Sequence, residues 1–532
     1  MVTFRTRKDR VKIMPNKSRR LDEKRIARIL FWLILAIAVF ARAYRLNSMP
    51  NGINQDEALA GYEAFSLLHY GIDSHGYTFP VYLSAWDSGM NALESYLAIP
   101  FVALFGLKVW VFRLPQMIVG VLSVWVVYLL IRRMFNERAG LFAMFMLAIC
   151  PWHIILSRYG LESNLAPGFM LFGLYFFVRG IENSRFFMLS ALMYGLSLYA
   201  YATVWVIVPF VILGMAVYAA AYGKIRIDRY CVCSVLIIGV LALPLLAFLA
   251  VNYGFIDEIR TPFMSVPRLA ALRSGEVSLN DASEKLEMLW NVFVLQTDNQ
   301  VRNSPTKFGL FYYITMPFAL FGFVYSFVRA ISQIKKKKFS LESLLLIQCI
   351  VCMALCALVM ANANRINVVI FNVILYAALG VYYLSTFKLP HVLTVAAAVY
   401  FVLFAGFEHY YFTEYDLETR EHFSYGLEDA LEVACANGDT VYVEQYEFYS
   451  KVLFYRQTPV DVLHSTGQYI YYPSSKEQPL SFGNFVFYTD TYENIDEAAA
   501  YVMPKDYDIG KLPEHGFAVE QYGNYIVAYK PD

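Results

Sequence analysis

The chain has 532 residues, 58% of them hydrophobic and 16% charged, with a net charge of +1. Soluble proteins run at about 45–50% apolar and about 25% charged residues, so this composition excludes a soluble domain and points to a polytopic membrane protein. The near-neutral total hides a segregation. Residues 1–28 carry eleven Lys/Arg against three Asp/Glu, and residues 408–532 carry seven against twenty-two.

In chain order, the basic tail 1–28 precedes an apolar stretch from Ile29 to Leu46. That stretch is long for the apolar part of a signal peptide and lacks a small-residue cleavage site, so it reads as a retained first span. Lys and Arg concentrate on cytoplasmic loops, which predicts a cytoplasmic N-terminus. Counting onward predicts spans near 115–131, 139–156, 164–181, 187–202, 204–222, 231–252, 309–330, 342–361, 366–385 and 390–407, about eleven in all. The loops that this count turns inward carry Arg132, Arg133 and Arg138; Arg179 and Arg185; Lys224, Arg226 and Arg229; and Lys335 to Lys338. Each is basic, as the charge rule requires.

The segment Leu93–Phe105 is apolar but short and contains Pro100. Counting it as a span would reverse every later loop, so it reads as a helix lying at the outer interface. The outer loops then cover 47–114 and 253–308. Six of the seven cysteines lie in or beside apolar stretches, and Cys349, Cys352 and Cys356 fall on one helix face; no disulfide framework is implied. From 408 to 532 the pattern changes to short β-branched and aromatic runs separated by Gly, Pro and Asp. Thr440–Val443, Val452–Tyr455, Asn484–Tyr488 and Tyr525–Tyr529 read as strands, and Ala430–Ala436 and Ile495–Val502 as helices. The predicted fold class is an all-α polytopic membrane protein with a small extracytoplasmic α/β domain at its C-terminus.

Chemistry concentrates at the start of the first outer loop, Met49-Pro-Asn-Gly-Ile-Asn-Gln-Asp56-Glu57-Ala-Leu. Two adjacent acids follow a turn built on Pro50 and Gly52 and precede a short amphipathic helix. Acids at that place cap a helix N-terminus, where negative charge is favoured. Equally, a carboxylate at the outer membrane surface suits a general base that takes the proton of an attacking hydroxyl. The motif by itself leaves both readings open. No Walker A loop, Rossmann fingerprint or strong metal-ligand spacing occurs, so no nucleotide, nucleic acid or tightly bound cofactor is expected, and a divalent metal lacks a ligand motif.

The order of segments resembles a known family. A basic tail, a first span and an outer loop opening on Asp-Glu are followed by Phe105-Gly-Leu-Lys-Val-Trp-Val-Phe-Arg-Leu-Pro115 and Pro151-Trp-His-Ile-Ile-Leu-Ser-Arg-Tyr159. Asp298-Asn-Gln-Val-Arg302-Asn303 and Asn364-Arg365 come later. This is similar to the GT-C membrane glycosyltransferases, in particular the protein-mannosyltransferase/aminoarabinose-transferase-like group, over roughly residues 25–385. The resemblance implies a transmembrane glycosyltransferase domain at 29–407. It would move a sugar from a polyprenyl-phosphate donor to a hydroxyl on a cell-surface glycan, lipid or protein, with inversion.

Carried over by position, Asp56 becomes the base and Glu57 its supporting neighbour, by like-charge repulsion or by orienting it. Asp87 and Glu162 become candidates for sugar contacts, with His153 as a possible proton relay. The Lys-Pro-Pro pattern that some members have near Asp87 is absent. Arg158, Arg302 and Arg365 are candidates for the donor phosphate, since a guanidinium binds phosphate oxygens bidentately. Each also fits an arginine at a helix end that reaches for lipid headgroups. Two rival functions stay open: a transporter or lipid flippase, against which no midplane relay or paired interrupted helices appear, and a non-catalytic assembly subunit.

Overall fold

A computed structural model describes residues 17–86, 88–270, 281–387, 389, 391–444, 448–471 and 477–531. Asp87 lies outside the described residues. The long apolar runs form helices, even where they contain Pro100, Pro209 or Pro244. In chain order they are α1 (Lys17–Ala43), α2 (Gln55–Tyr70), α3 (Leu93–Phe105), α4 (Val109–Phe112), α5 (Leu114–Met134), α6 (Glu137–Ala148), α7 (Pro151–Leu156), α8 (Ala166–Gly180) and α9 (Arg185–Ser197). They continue with α10 (Thr203–Ala221), α11 (Arg229–Asn252), α12 (Ala282–Trp290), α13 (Thr315–Lys335), α14 (Glu342–Leu358), α15 (Asn367–Thr386) and α16 (Val392–Tyr411).

Seven described helical segments are long and apolar enough to cross a membrane: Asp22–Ala43, Val109–Met134, Thr203–Ala221, Arg229–Asn252, Thr315–Lys335, Asn367–Thr386 and Val392–Tyr411. The other four expected spans also form helices, but α6, α8, α9 and α14 have only 12, 15, 13 and 17 residues. α6 and α8 are buried along nearly their whole length. Their apolarity comes from packing inside the bundle rather than from spanning hydrocarbon unaided. α3 forms with the expected bounds, and its 13 residues are too few to span.

Lipid offers little hydrophobic drive between helices, so close approach relies on small residues. Gly322 of α13 faces Gly380 of α15, and a methyl at either would run into the backbone of the other helix.

Beyond α16 the chain builds α17 (Glu414–Thr419), α18 (Leu427–Asn437), α19 (Tyr449–Arg456), α20 (Val460–Thr466) and a seven-stranded sheet. Two-stranded ribbons in the long loops after α2 and α11 pair β1 (Tyr82–Leu83) with β2 (Met90–Asn91), and β3 (Ile259–Arg260) with β4 (Ser265–Val266). The C-terminal strands are β5 (Val441–Val443), β6 (Gln468–Tyr471), β7 (Glu477–Phe482), β8 (Phe485–Val486), β9 (Ala500–Pro504), β10 (Ala518–Tyr522) and β11 (Tyr525–Tyr529). Their order is β10-β11-β9-β5-β8-β7-β6, and β5 runs parallel to both its neighbours.

Two expectations fail here. Val452–Tyr455 is helical, within α19, because Val452, Leu453 and Phe454 are all buried, and Phe454 packs on α2. Ile495–Val502 ends in strand β9 instead of a helix. β9 is buried on both faces, so it shows a continuous apolar run without the alternation that marks a half-exposed strand.

The two parts interlock through α2. Tyr62 of α2 sits in the apolar core of the C-terminal domain and donates its hydroxyl to the Thr458 carbonyl at 2.7 Å. One residue earlier, Gly61 lets the Phe454 ring pack directly on the α2 backbone; a methyl there would lie 2.5 Å from the ring.

Candidate functional site

The geometry separates the two acids. Asn54 is the N-cap of α2. Its side chain accepts from the Asp56 amide at 3.0 Å, while Glu57 reaches back to the Asn54 amide at 3.4 Å, a capping box. Capping therefore belongs to Glu57. Glu57 is fully buried and takes both arms of Arg113, Nε to Oε1 at 2.8 Å and Nη2 to Oε2 at 3.0 Å, with the Gly160 amide also donating to Oε1 at 2.8 Å. Arg113, equally buried, spends its remaining donors on the carbonyls of Leu46, Pro50 and Gly52. Arg113 and Glu57 thus fasten the whole turn 46–57. The sequence placed Glu57 beside Asp56 as a second reactive acid; with its charge paired and no face open to a ligand, its place is in the framework.

Asp56 is different. It is half-buried at the start of α2, and its carboxylate has no hydrogen bond or ion pair among the described residues. Behind it, Glu94 of α3 is fully buried, and its Oε2 accepts from Gln116 at 2.5 Å. Burial foremost holds the Glu94 carboxyl well above its usual range, with the Glu57 and Glu162 charges adding to the shift.

The proposed phosphate arginines divide. Arg158 is fully buried and ties down the end of α1 through the carbonyls of Ala41 (2.8 Å), Tyr44 (2.7 Å) and Met49 (3.0 Å), stacked near Tyr411 and Phe412. Unpaired carbonyls at a helix C-terminus attract a cation, and Arg158 is consumed by them. It is not available to a donor phosphate. His153 is likewise internal: its Nδ1 lies 2.6 Å from Arg42, which itself holds carbonyls of α1 and α6. This removes it from substrate contact. Glu162 is almost buried and accepts from the Asn91 amide, so it braces the segment after Asp87.

Arg302 and Arg365 are half-exposed and brought together by one network. Asp298 accepts from Asn303 (2.8 Å), Ser304 (3.0 Å) and the amides of Gln300 (3.1 Å) and Ala363 (3.1 Å). Asn303 in turn meets Tyr159 at 2.7 Å and Asn364 at 3.4 Å. Three motifs distant in sequence, ending at Tyr159, Asn303 and Arg365, therefore converge. Sequence reasoning missed Asp298, Arg113 and Glu94 as organising residues. Arg113 and Asp298 stood inside quoted motifs, but nothing in one sequence pairs Arg113 with Glu57.

A polar cavity of about 720 Å³ opens beside Asn54 and Gln55. Arg302 lines it on the membrane side, and Lys451, Lys505 and Tyr525 line it on the C-terminal side. The C-terminal domain grips the neighbours of Asp56: Ser450 donates to the Gln55 carbonyl at 3.2 Å, and Asn54 donates to the His422 carbonyl at 3.4 Å. Gly52 is needed because its φ is +96° and the Phe423 carbonyl occupies the place of a side chain. Among the described residues, no three His, Cys, Asp or Glu side chains gather to hold a metal ion.

A family model described as dolichyl-phosphate-mannose-protein mannosyltransferase matches residues 93–251. No curated protein matches the sequence significantly. Among solved structures, ArnT from Cupriavidus metallidurans bound to undecaprenyl phosphate aligns with a TM-score of 0.59 at 14% identity, over 94% of this chain and 99% of that one. Its apo state gives 0.55 at 13% identity, over 95% and 100%. The archaeal oligosaccharyltransferase AglB from Archaeoglobus fulgidus, in complex with an inhibitory peptide and a dolichol-phosphate, gives 0.50 at 14% identity, over 81% and 64%. Alignment of nearly the whole of both chains covers the helical bundle and the C-terminal domain together. This multi-pass membrane protein has the GT-C fold of membrane glycosyltransferases.

Proposed function

We propose that the protein transfers a sugar from a polyprenyl-phosphate carrier to a hydroxyl acceptor on the outer face of the membrane, with Asp56 as general base. The observation that carries this reading is the contrast within one dipeptide. Glu57 is locked by Arg113, while Asp56 keeps a carboxylate without partners among the described residues, and the two residues before it in the chain line a polar cavity. The acceptor O–H attacks the anomeric carbon, its proton passes to Asp56, and the C–O bond to phosphate breaks. The electron pair leaves with the polyprenyl phosphate. Attack opposite the leaving group inverts the anomeric centre, and phosphate leaves without needing the strong general acid of glycoside hydrolysis.

Arg302 and Arg365, half-exposed and tied to one loop network, suit the phosphate. The ArnT structure that aligns over nearly the whole chain holds undecaprenyl phosphate, which supports a carrier of that kind here. The basic tail and inward loops support a cytoplasmic N-terminus with the C-terminal domain outside. Asp56→Asn is expected to lower transfer by at least about 10²–10⁴-fold, the usual worth of a general base. Expression and melting temperature should stay at wild-type values. Transfer at the wild-type rate by that variant, with a polyprenyl-phosphate sugar that the wild type uses, rejects the assignment.

A further inference from the structure

The cavity beside Asn54 and Gln55 has a second wall that the transfer chemistry does not account for. Its membrane side is Asn54, Gln55 and Arg302; its other side belongs to the C-terminal domain and the segment leading into it. Ser424, Phe448, Lys451, Asn524 and Tyr525 form the inner part, and Lys505 and Asp506 stand exposed at the rim. We infer that this cavity is the acceptor site and that it takes an uncharged, polyhydroxylated chain, a neutral glycan, in contact with the C-terminal domain. The inference rests on the transferase reading for the word acceptor, but the recognition chemistry stands on the cavity itself.

Three features select the ligand class. First, charge is nearly balanced: Arg302, Arg420, Lys451 and Lys505 face Glu418, Glu421 and Asp506. Such a lining supplies donors and acceptors in similar number, which suits hydroxyl groups, each of which donates and accepts. A polyanion would need a cationic excess that the lining lacks.

Second, the strands that reach the cavity are interior. Pro504 ends β9 and Tyr525 begins β11, and both strands have neighbours on both sides in the sheet. An extended peptide added as a strand needs a free edge, and none is presented here. Third, apolar lining is confined to Leu417, Phe448, Pro504 and the ring of Tyr525, too little to hold an acyl chain, yet the Phe448 and Tyr525 rings lie 5.6 Å apart within the wall. A volume of about 720 Å³ lies within the range of about 300–1,000 Å³ for ligand pockets, room for a short oligosaccharide.

Placement adds to this. Asn54 and Gln55 immediately precede Asp56, and the C-terminal domain is bonded to both, to Asn54 through the His422 carbonyl and to Gln55 through Ser450. A glycan held against that domain lies along Asn54 and Gln55, the two residues that precede Asp56 in the chain.

The test uses the full chain in detergent carrying Asp56→Asn, so that binding is read without turnover. The probes are neutral oligosaccharides of three to six sugars, sulfated oligosaccharides, an uncharged peptide set and lysophospholipids. Saturable binding of neutral oligosaccharides, weakened about tenfold by Lys505→Ala and again by Asp506→Ala, is the expected result, the scale of a charge-assisted hydrogen bond lost. Both positions are exposed, and unchanged melting temperatures will show that the variants fold. Preference for the sulfated, peptide or lipid probes, binding indifferent to both substitutions, or no binding overturns the inference. Absence of transfer by the wild type, with neutral glycans still bound, would fall on the transferase reading alone.

Discussion

The arginines around the Asp56 turn and the loops that meet it fall into two groups that a sequence cannot tell apart. Arg113 and Arg158 are fully buried, and their Nη groups bond to Glu57 or to backbone carbonyls. Arg302 and Arg365 stand half-exposed on loops that meet through Asp298 and Asn303. The first group fixes where the Asp56 turn sits; the second lies partly open to solvent. Burial, rather than residue type or position at a helix end, separates scaffold from chemistry here.

The sharpest way to break that division is to remove a buried arginine. Arg113→Ala strands Glu57 in the interior with one amide and its cap as the only compensation. Losing one partner of a buried pair costs about 3–5 kcal/mol. Thermal unfolding in detergent should show a large drop, and Arg113→Lys should recover little of it, because a point charge cannot reproduce the fork to Glu57 and three carbonyls. A melting temperature within a degree of wild type for Arg113→Ala would dissolve the distinction.

Next in size is the seam between the two parts of the molecule. Gly61→Ala puts a methyl 2.5 Å from the Phe454 ring. Overpacking of this kind costs about 1–3 kcal/mol. Because α2 carries Asp56 at its start, the displacement should lower transfer as well as stability. Adding Phe454→Leu relieves the overlap, so the double variant should be more stable than the sum of the single effects predicts. Strict additivity would mean that the ring and the glycine are not coupled.

Arg302→Ala sharpens the other half of the comparison. Its guanidinium bonds to the Gln300 side chain at 3.1 and 3.2 Å on a half-exposed surface, so its removal should change stability by less than about 1 kcal/mol. If Arg302 meets the donor phosphate, the loss is about 1.5–3 kcal/mol of binding, read as at least a tenfold fall in kcat/KM for the polyprenyl-phosphate sugar. A variant destabilised like Arg113→Ala but kinetically normal would place Arg302 in the scaffold.

Much of the architecture was legible because hydrocarbon imposes it: apolar length, basic inner loops and the short helix α3 follow from composition and charge alone. α6, α8, α9 and α14 form at the expected places, but each helix is shorter than the apolar run that marks it. Within the candidate site, Asp56 was singled out by its place after the first span and by resemblance. The fates of Glu57, Arg158 and His153 were not, since each is decided by a partner distant in the chain: Arg113, the carbonyls of Ala41 and Met49, and Arg42. The C-terminal strands failed where burial on both faces erased alternation, as in β9.

The smallest expected effect concerns a second buried acid on α2, two turns beyond Asp56. Glu63 is fully buried and accepts from the Ser74 amide at 2.9 Å and from the Ser74 hydroxyl. Asp73, also buried, faces the same turn and accepts from the amides of His75 (3.0 Å) and Tyr77 (2.8 Å). His464 of α20 closes the turn from the C-terminal side, with its Nε2 2.8 Å from the Ser74 carbonyl. Burial first, and the Asp73 charge second, raise the Glu63 carboxyl above its ordinary 4.5. A carboxyl raised on folding binds its proton more tightly in the folded state, so stability is fully present below 4.5 and falls as pH rises through the folded value. Wild-type protein should therefore lose thermal stability with rising pH above 4.5. Glu63→Gln, which keeps the shape and an acceptor for Ser74 without the charge, should flatten that slope. An identical pH slope in the variant would show that the turn between α2 and the C-terminal domain does not carry this proton.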